Sequence, residues 1–140
     1  MRVMVMVRAT KDTEAGVMPS EKLLTDMGNY NEELVKAGII QAGEGIHPSN
    51  KGVRIRFERD QTTVVNGPFP TNEVVAGFWL WKVKSMDEAI EWAKRCPSEF
   101  TGEVGQLELR PVFEIEDFGD ELTPEARAQE ERLRAQVENG

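Results

Sequence analysis

Two apolar segments constrain the fold of this chain more than any other feature. Residues 3–7 are five consecutive Val and Met residues, and residues 74–83 include two tryptophans, a phenylalanine and a leucine. Segments without alternating polar residues are typical of strands that are covered on both faces, and the aromatic side chains also favour a strand. We therefore predict that both segments are major strands of one sheet and that both of its faces have to be covered.

A helical pattern follows each of these segments. The first begins at Ser20 and ends at Gly38, with apolar residues at spacings of three and four. Gly28 lies inside this pattern, and we expect it to divide the helix into two pieces because glycine disfavours helix interiors. The second begins at the capping box of residues 85–88 and has to end before Pro97.

The remaining segments complete a set of strands. Residues 53–58 alternate apolar and charged side chains, which predicts a strand with one wet face that forms a hairpin with residues 62–65. The short apolar segment 39–42 predicts another strand, followed by an irregular glycine-rich turn. Residues 106–115 predict a last strand, in which Pro111 indicates an edge position or a bulge.

The order of these elements predicts an α+β fold. Two helices against one antiparallel sheet give a ferredoxin-like sandwich, here with an inserted hairpin and a C-terminal helix over residues 124–137. Because one subunit leaves the second sheet face uncovered, we predict a homodimer. We divide the chain into a domain of residues 1–116 and an acidic helical extension of residues 117–140. This helix has only a thin apolar stripe, so it docks on its own chain, clasps a partner or frays.

Charge and cysteine content narrow the classes of function. The net charge is -8, most of it contributed by residues 114–140, and this argues against nucleic acid as a partner. Cys96 is the one cysteine, which predicts a reducing, cytoplasmic setting. We expect no membrane association, because no apolar stretch approaches about 18 residues. With one histidine and no nucleotide-binding glycine loop, we also expect no metal and no cofactor.

Three short segments carry a resemblance to a known family. They are Ala42-Gly-Glu-Gly-Ile-His-Pro48, Asn66-Gly-Pro-Phe69 and Ala76-Gly-Phe-Trp79. In these segments and in the order of its elements, the chain resembles the YciI-related family, and in particular the branch named after its Asp-Gly-Pro-Phe motif. The resemblance implies a dimeric ferredoxin-like α/β barrel, with an enzymatic or ligand-binding pocket between helices and sheet or at the dimer seam. The branch is often found beside sigma factors of the extracytoplasmic type, which implies a regulatory alternative.

The chain departs from the family pattern in its candidate acids and bases. Asn66 replaces the aspartate of the motif, so a group that titrates has become an amide that does not. The histidine and aspartate proposed as a catalytic pair in YciI proper have no matching positions here. The resemblance therefore assigns no catalytic pair to this chain.

His47 and Glu44 are the candidate catalytic residues. An imidazole takes up and releases a proton near neutral pH, and Glu44 precedes it by three residues in the glycine-rich segment. If the turn brings the carboxylate within hydrogen-bond reach, Glu44 would orient His47 as a general base. The alternative is a surface histidine in a polar loop.

The candidate ligand-binding residues surround the Asn-Gly-Pro-Phe segment. In one interpretation, Asn66, Gly67, Pro68, Phe69 and Glu73 form the wall of a pocket with polar groups and one apolar face. In the other, the glycine and the proline shape the loop and the phenylalanine fills the core.

Trp79 and a pair of arginines are weaker candidates. Trp79 shares a strand face with Trp81, so it lies in the core or an interface, or else stacks on a ligand. Arg54 and Arg56 share another strand face and would bind a small carboxylate or phosphate, unless they simply face solvent.

The sequence leaves two hypotheses open for the function. In the first, a homodimer binds a small metabolite and catalyses a proton transfer such as an isomerisation or elimination. In the second, a noncatalytic ligand-binding or regulatory module engages a partner through its acidic C-terminal helix.

Overall fold

The computed structural model describes residues 1–99 and 101–140 and has an α+β fold built on an antiparallel sheet, which confirms the predicted fold class. The strands are β1 Arg2–Arg8, β2 Ile40–Gly45, β3 Val53–Phe57, β4 Thr62–Asn66, β5 Val75–Lys82 and β6 Leu107–Pro111. The α-helices are α1 Lys11–Glu14, α2 Glu21–Lys36, α3 Met86–Lys94 and α4 Pro124–Asn139. The main sheet has the order β2-β5-β1-β6, and β3 and β4 form a separate hairpin.

The two apolar segments are the central strands of the main sheet, as predicted. β1 pairs with both β5 and β6, and Val5 lies opposite Trp79 on one side and Leu109 on the other. The last strand is shorter than predicted, because it ends at Pro111 and the chain then forms a 3-10 turn at Ile115–Asp117. β6 lies at the sheet edge, where a proline is tolerated.

One face of the main sheet packs against α2 and α3 and forms the core. Val3, Val5, Leu34, Trp81 and Ala89 are completely buried there. Burying each large apolar side chain stabilises the fold by about 1.5–3 kcal/mol, so this layer contributes most of the hydrophobic stabilisation.

Serine side chains begin both core helices where the sequence predicts. The Ser20 hydroxyl accepts a hydrogen bond from the Leu23 N–H, and the Ser85 hydroxyl accepts one from the Glu88 N–H. The prediction of two helical pieces around Gly28 is wrong, since α2 runs unbroken from Glu21 to Lys36. Gly28 faces open space, and its cost of about 1 kcal/mol is smaller than the gain from packing Leu34 on the same helix.

The second face of the main sheet is only partly covered. Met4 lies opposite Leu80 and Met6 opposite Phe78, and all four side chains are half-buried. α4 lies beside this face, where it helps enclose a space of about 920 Å³ next to Leu80. The apolar centre of the face therefore remains accessible in the single chain.

α4 is docked on its own chain through ion pairs. Arg134 contacts the Glu114 carboxylate at 3.3 Å, and Arg2 contacts the same carboxylate at 2.9 Å. Hydrogen bonds from Arg2 lower the pKa of Glu114, and those from Arg134 add to the effect. Leu133 and Val137 of the same helix remain 44% and 80% exposed.

The hairpin differs from the prediction of a strand with one wet face. Ile55 lies opposite Val64, and this apolar face is open: Ile55 is 46% exposed and Phe57 81%. The apolar face of the hairpin is therefore accessible in the single chain, whereas Arg54 and Val65 on the other face are half-buried.

Two local features differ from or add to the prediction. Residues 11–14 form the short helix α1, with the Thr10 hydroxyl as N-cap acceptor for the Thr13 N–H. Strand β2 extends to Gly45 and so includes Glu44, which the sequence places in a turn. The glycines suit this strand edge, because a Cβ at Gly43 would lie 2.6 Å from Trp79 Cδ1. Across residues 1–99 and 101–140, none of the helices combines the length and apolarity needed to span a membrane.

Candidate functional site

Two loops converge on one cavity of about 540 Å³, the loop cavity. The first loop leaves β2, and the second leaves β4 and reaches β5 through a 3-10 turn at Thr71–Glu73. The apolar residues of the lining are Ile46, Pro48, Val53, Phe69, Val74 and Val75. The other lining residues are His47, Ser49, Lys51, Gly52, Arg54 and Glu73.

The Ser49 side chain ties these two loops together. Its hydroxyl donates a hydrogen bond to the Glu14 carboxylate and accepts one from the Phe69 N–H at 3.0 Å. The Ser49 backbone N–H donates to the same carboxylate at 2.9 Å. Glu14 on α1 therefore positions both loops without lining the cavity.

A close backbone approach makes glycine necessary at position 67. The Gly67 N–H donates to the Gly52 carbonyl at 2.9 Å, and the Gly67–Pro68 peptide is cis. A Cβ at Gly67 would lie 1.8 Å from the Ser49 carbonyl oxygen, which no side chain can tolerate without displacing the backbone. The small residue in the Asn-Gly-Pro-Phe segment thus allows the two loops to touch.

The predicted pocket wall is only partly assembled at this cavity. Phe69 and Glu73 line it, whereas Asn66 is the exposed last residue of β4. Gly67 and Pro68 shape the loop and are not part of the lining. A ligand-binding role for all five residues stays a prediction.

The structure separates the two candidate arginines. The Arg54 guanidinium lies over the Phe69 ring, 3.9 Å from the ring centroid, and 3.6 Å from the Glu73 carboxylate. Arg56 instead pairs with Glu58 at 3.5 Å and is not part of the lining. Only Arg54 is thus available to a molecule in the loop cavity.

His47 and Glu44 do not share a cavity. His47 is an exposed residue of the loop cavity, while Glu44 lines a smaller cavity of about 270 Å³ beside α2. In the described residues, no hydrogen bond or ion pair joins the two side chains. Glu44 as orienter of His47 stays a prediction without a contact, and Glu73 is the carboxylate that shares the cavity with His47.

Trp79 belongs to the core. It is 7% exposed, and its indole N–H donates to the Asn31 side-chain oxygen at 3.1 Å. The Tyr30 ring lies edge-on at a centroid distance of 6.0 Å, and burial raises the pKa of Tyr30. Trp79 lines the smaller cavity rather than the loop cavity, so the two predicted sets of ligand contacts do not meet.

Cys96 and the acidic residues offer little further chemistry. Burial raises the pKa of the Cys96 thiol to about 11, so it is protonated at neutral pH. Desolvation of the thiolate is the cause of this raised pKa. Within residues 1–99 and 101–140, no three His, Cys, Asp or Glu side chains are grouped to hold a metal ion.

The residues that line the loop cavity were more predictable than the residues that hold its two loops together. The sequence points to His47, Phe69 and Glu73, but not to Glu14 or Ser49. The short helix α1 has no apolar period, and 35 residues separate Glu14 from Ser49. The one local sign was the Thr10 cap, which would have placed Glu14 in an ordered element.

Comparison with known proteins agrees with the fold described above. A model of the YCII-related domain matches residues 1–116, which include the main sheet, the hairpin and both loops of the cavity. An uncharacterised protein of Rhizobium meliloti (strain 1021) is 29% identical over 93 residues, which are 66% of this chain and 74% of that protein. α4 lies beyond the matched domain.

Proposed function

The chain belongs to the YCII-related domain family, and from this premise we propose that it binds a small metabolite in the loop cavity. One observation carries the proposal: two loops that are separate in sequence are held together by Ser49 and Gly67 around a cavity that contains the single histidine, His47. A volume of about 540 Å³ lies in the range of small-molecule sites, which is about 300–1,000 Å³.

The chemistry that this cavity supports is proton transfer. His47 supplies an imidazole, the side chain used most often for general acid–base catalysis, and Glu73 is a carboxylate in the same lining. An isomerisation needs one group to remove a proton and another to return a proton at a different atom, whereas an elimination needs a base to remove the proton and expels a leaving group as the double bond forms. We assign removal of the proton to His47, with Glu44 kept as a second carboxylate to be tested.

Nuclear magnetic resonance of the single imidazole tests this function directly. A fragment screen by thermal shift supplies ligands, and those that bind in the loop cavity should move the His47 ring signals. His47→Gln should abolish any turnover and weaken binding less. Glu44→Gln tests the second carboxylate: it should lower turnover if Glu44 assists His47, and leave turnover unchanged if Glu44 acts only in the other cavity, which it lines.

A result against the proposal is equally clear. If stabilising ligands leave the His47 and Phe69 signals unchanged while shifting those of Asn31 and Trp79, the smaller cavity is the binding site. The assignment of proton transfer to His47 fails if His47→Gln retains full turnover of a confirmed substrate.

We also propose that two subunits pack through the second face of the main sheet. The half-buried Met4, Met6, Phe78 and Leu80 support this, since they form a continuous apolar centre across β1 and β5. Analytical ultracentrifugation should find a dimer, and Met6→Glu should shift it towards monomer because it places a charge in the apolar centre. A monomer in the native chain contradicts the proposal.

A noncatalytic regulatory module is the second candidate. The exposed Leu133 and Val137 favour it, because α4 presents apolar side chains on an otherwise acidic extension. Deleting residues 117–140 would abolish partner capture under this hypothesis and leave metabolite binding unchanged under the first.

The division at residue 116, the Asp-Gly-Pro-Phe branch and the cytoplasmic setting stay predictions.

A further inference from the structure

The charges that line the loop cavity differ in sign from the chain as a whole. Lys51 and Arg54 are cationic, and Glu73 is anionic. With His47 neutral, the lining has a net charge of +1, whereas the chain has a net charge of -8. Such a cavity attracts a ligand with a single negative charge and gives little support to a second one.

The Arg54 side chain is held in position to bind an anion. The Phe69 ring covers one face of its guanidinium at 3.9 Å, and Glu73 approaches from one side at 3.6 Å. A guanidinium has five N–H donors in a plane, so stacking leaves the edge of the group accessible. The Arg54 side chain is 41% exposed, which allows a carboxylate to approach this edge with two parallel hydrogen bonds.

The rest of the lining suits an apolar body. Ile46 and Val53 flank the cavity and are 47% and 57% exposed, and Phe69 and Val74 are half-buried beside them. Covering these side chains with ligand removes apolar surface from water, which favours binding. A ligand that has an apolar part attached to its anionic group should therefore bind more tightly than the anionic group alone.

We propose that the loop cavity selects monocarboxylates with an apolar body, that Arg54 binds the carboxylate, and that Glu73 discriminates against dianions. This inference rests on the proposed binding function and adds the class of ligand. A phosphate monoester carries nearly two negative charges at neutral pH, and Glu73 repels the second charge. The Arg54–Glu73 pair thus sets the ligand charge as well as the position of the guanidinium.

Three matched probes test the class of ligand: benzoate, benzamide and phenyl phosphate. Their affinities are measured by titrating the His47 and Phe69 signals of the full chain at one ionic strength. Benzoate should bind about tenfold or more tightly than benzamide, because only the carboxylate forms charge-assisted hydrogen bonds with Arg54. Phenyl phosphate should bind more weakly than benzoate.

Variants of the two arginines separate a specific contact from general charge. Arg54→Gln should weaken benzoate binding about tenfold and leave benzamide unchanged. Arg54→Lys, which keeps the charge but loses the planar fork, should give an intermediate loss. Arg56→Gln is the matched control, since it removes the same charge from the same strand but outside the cavity, and it should change neither affinity.

Glu73→Gln tests the discrimination by charge. It raises the net charge of the lining to +2, so the affinity of phenyl phosphate should rise several-fold relative to that of benzoate. The inference is overturned if benzamide binds as tightly as benzoate, or if Arg54→Gln and Arg56→Gln have equal effects. In either case binding in the cavity, and with it the proposed function, still stands. If no probe moves the His47 or Phe69 signals at millimolar concentrations, both are overturned.

Discussion

The main sheet and the β3–β4 hairpin both contain several apolar β-branched residues, but these residues have different surroundings. On β1, Val5 is completely buried beneath the core helices, while on the hairpin Val64 is 60% exposed. The difference comes from α2 and α3, which pack on the main sheet and not on the hairpin. Strand periodicity thus indicates which side chains share a face. Whether that face is buried depends on whether another element of the fold packs against it.

The hairpin nevertheless supports the candidate site. Its polar face holds Arg54 over Phe69, and the loop after β4 contacts the Ser49 turn at Gly67. The main sheet contributes stability through its core, while the hairpin and its loops contribute the lining of the cavity. Four comparisons of variants sharpen this contrast, beginning with the largest expected effect.

Matched Val→Ala substitutions in the two sheets should differ most. Val5→Ala is expected to lower the free energy of unfolding by about 2–3 kcal/mol, because it leaves a cavity in the core. Val64→Ala should cost less than about 0.5 kcal/mol. Urea denaturation measures both, and a loss at Val64 close to that at Val5 would mean that the apolar hairpin face is buried in solution.

Gly67→Ala should affect the junction between the two regions. The added Cβ would overlap the Ser49 carbonyl, so the loops have to separate at a cost of about 2 kcal/mol. Gly45→Ala is the control, since nothing lies within 4 Å of its added Cβ. Equal melting temperatures for the two variants would show that the loops do not touch at Gly67.

Ser49→Ala should have a smaller, local effect. It removes the hydroxyl that joins Glu14 to the Phe69 N–H, at a cost of about 1 kcal/mol. Amide hydrogen exchange should accelerate at Phe69 and remain unchanged at Val5 in the main sheet. The exposed Ser98→Ala serves as control, and slow exchange at Phe69 in the Ser49 variant would contradict the proposed tie.

Glu114→Gln should have the smallest effect, and it should depend on pH. Arg2 lowers the pKa of Glu114 in the folded chain, so its contribution is fully present above the ordinary glutamate pKa and is lost as the pH falls through the lowered value. At neutral pH we expect a loss of about 0.5–1 kcal/mol.

Denaturation at several pH values provides the check. The difference between Glu114→Gln and the native chain should shrink in acid, and Glu116→Gln, which changes a neighbouring glutamate outside the Arg2 ion pair, is the control. A difference that is independent of pH would exclude the ion pair with Arg2 as its source.

Much of the fold was predictable because it depends on local patterns. Ser20 and Thr123 begin their helices as expected, and Pro111 lies at the edge strand. The prediction was wrong at Gly28, because the tertiary packing of Tyr30 and Leu34 on the same helix outweighs the low helix propensity of glycine. It was incomplete at Glu44, because a strand rich in glycine has no apolar period to identify it.

The candidate site was predictable only in part. His47, Phe69 and Glu73 belong to segments that the sequence singled out, and all three line the loop cavity. The role of Glu14 was not predictable from local sequence, because its partner Ser49 is 35 residues away. Arg54 and Arg56 were equivalent in sequence, and the contacts of Arg54 with Phe69 and Glu73 distinguish them.

The sequence by itself determined which side chains share a strand or helix face, where the main helices begin and which segments form the sheet. These properties follow from periodicity and capping over a few residues. The tertiary structure alone decided that the hairpin's apolar face is open, that Glu44 lies apart from His47, and that Arg54 faces the cavity. Such outcomes depend on contacts between distant segments, whose geometry exists only once the helices and sheets have packed.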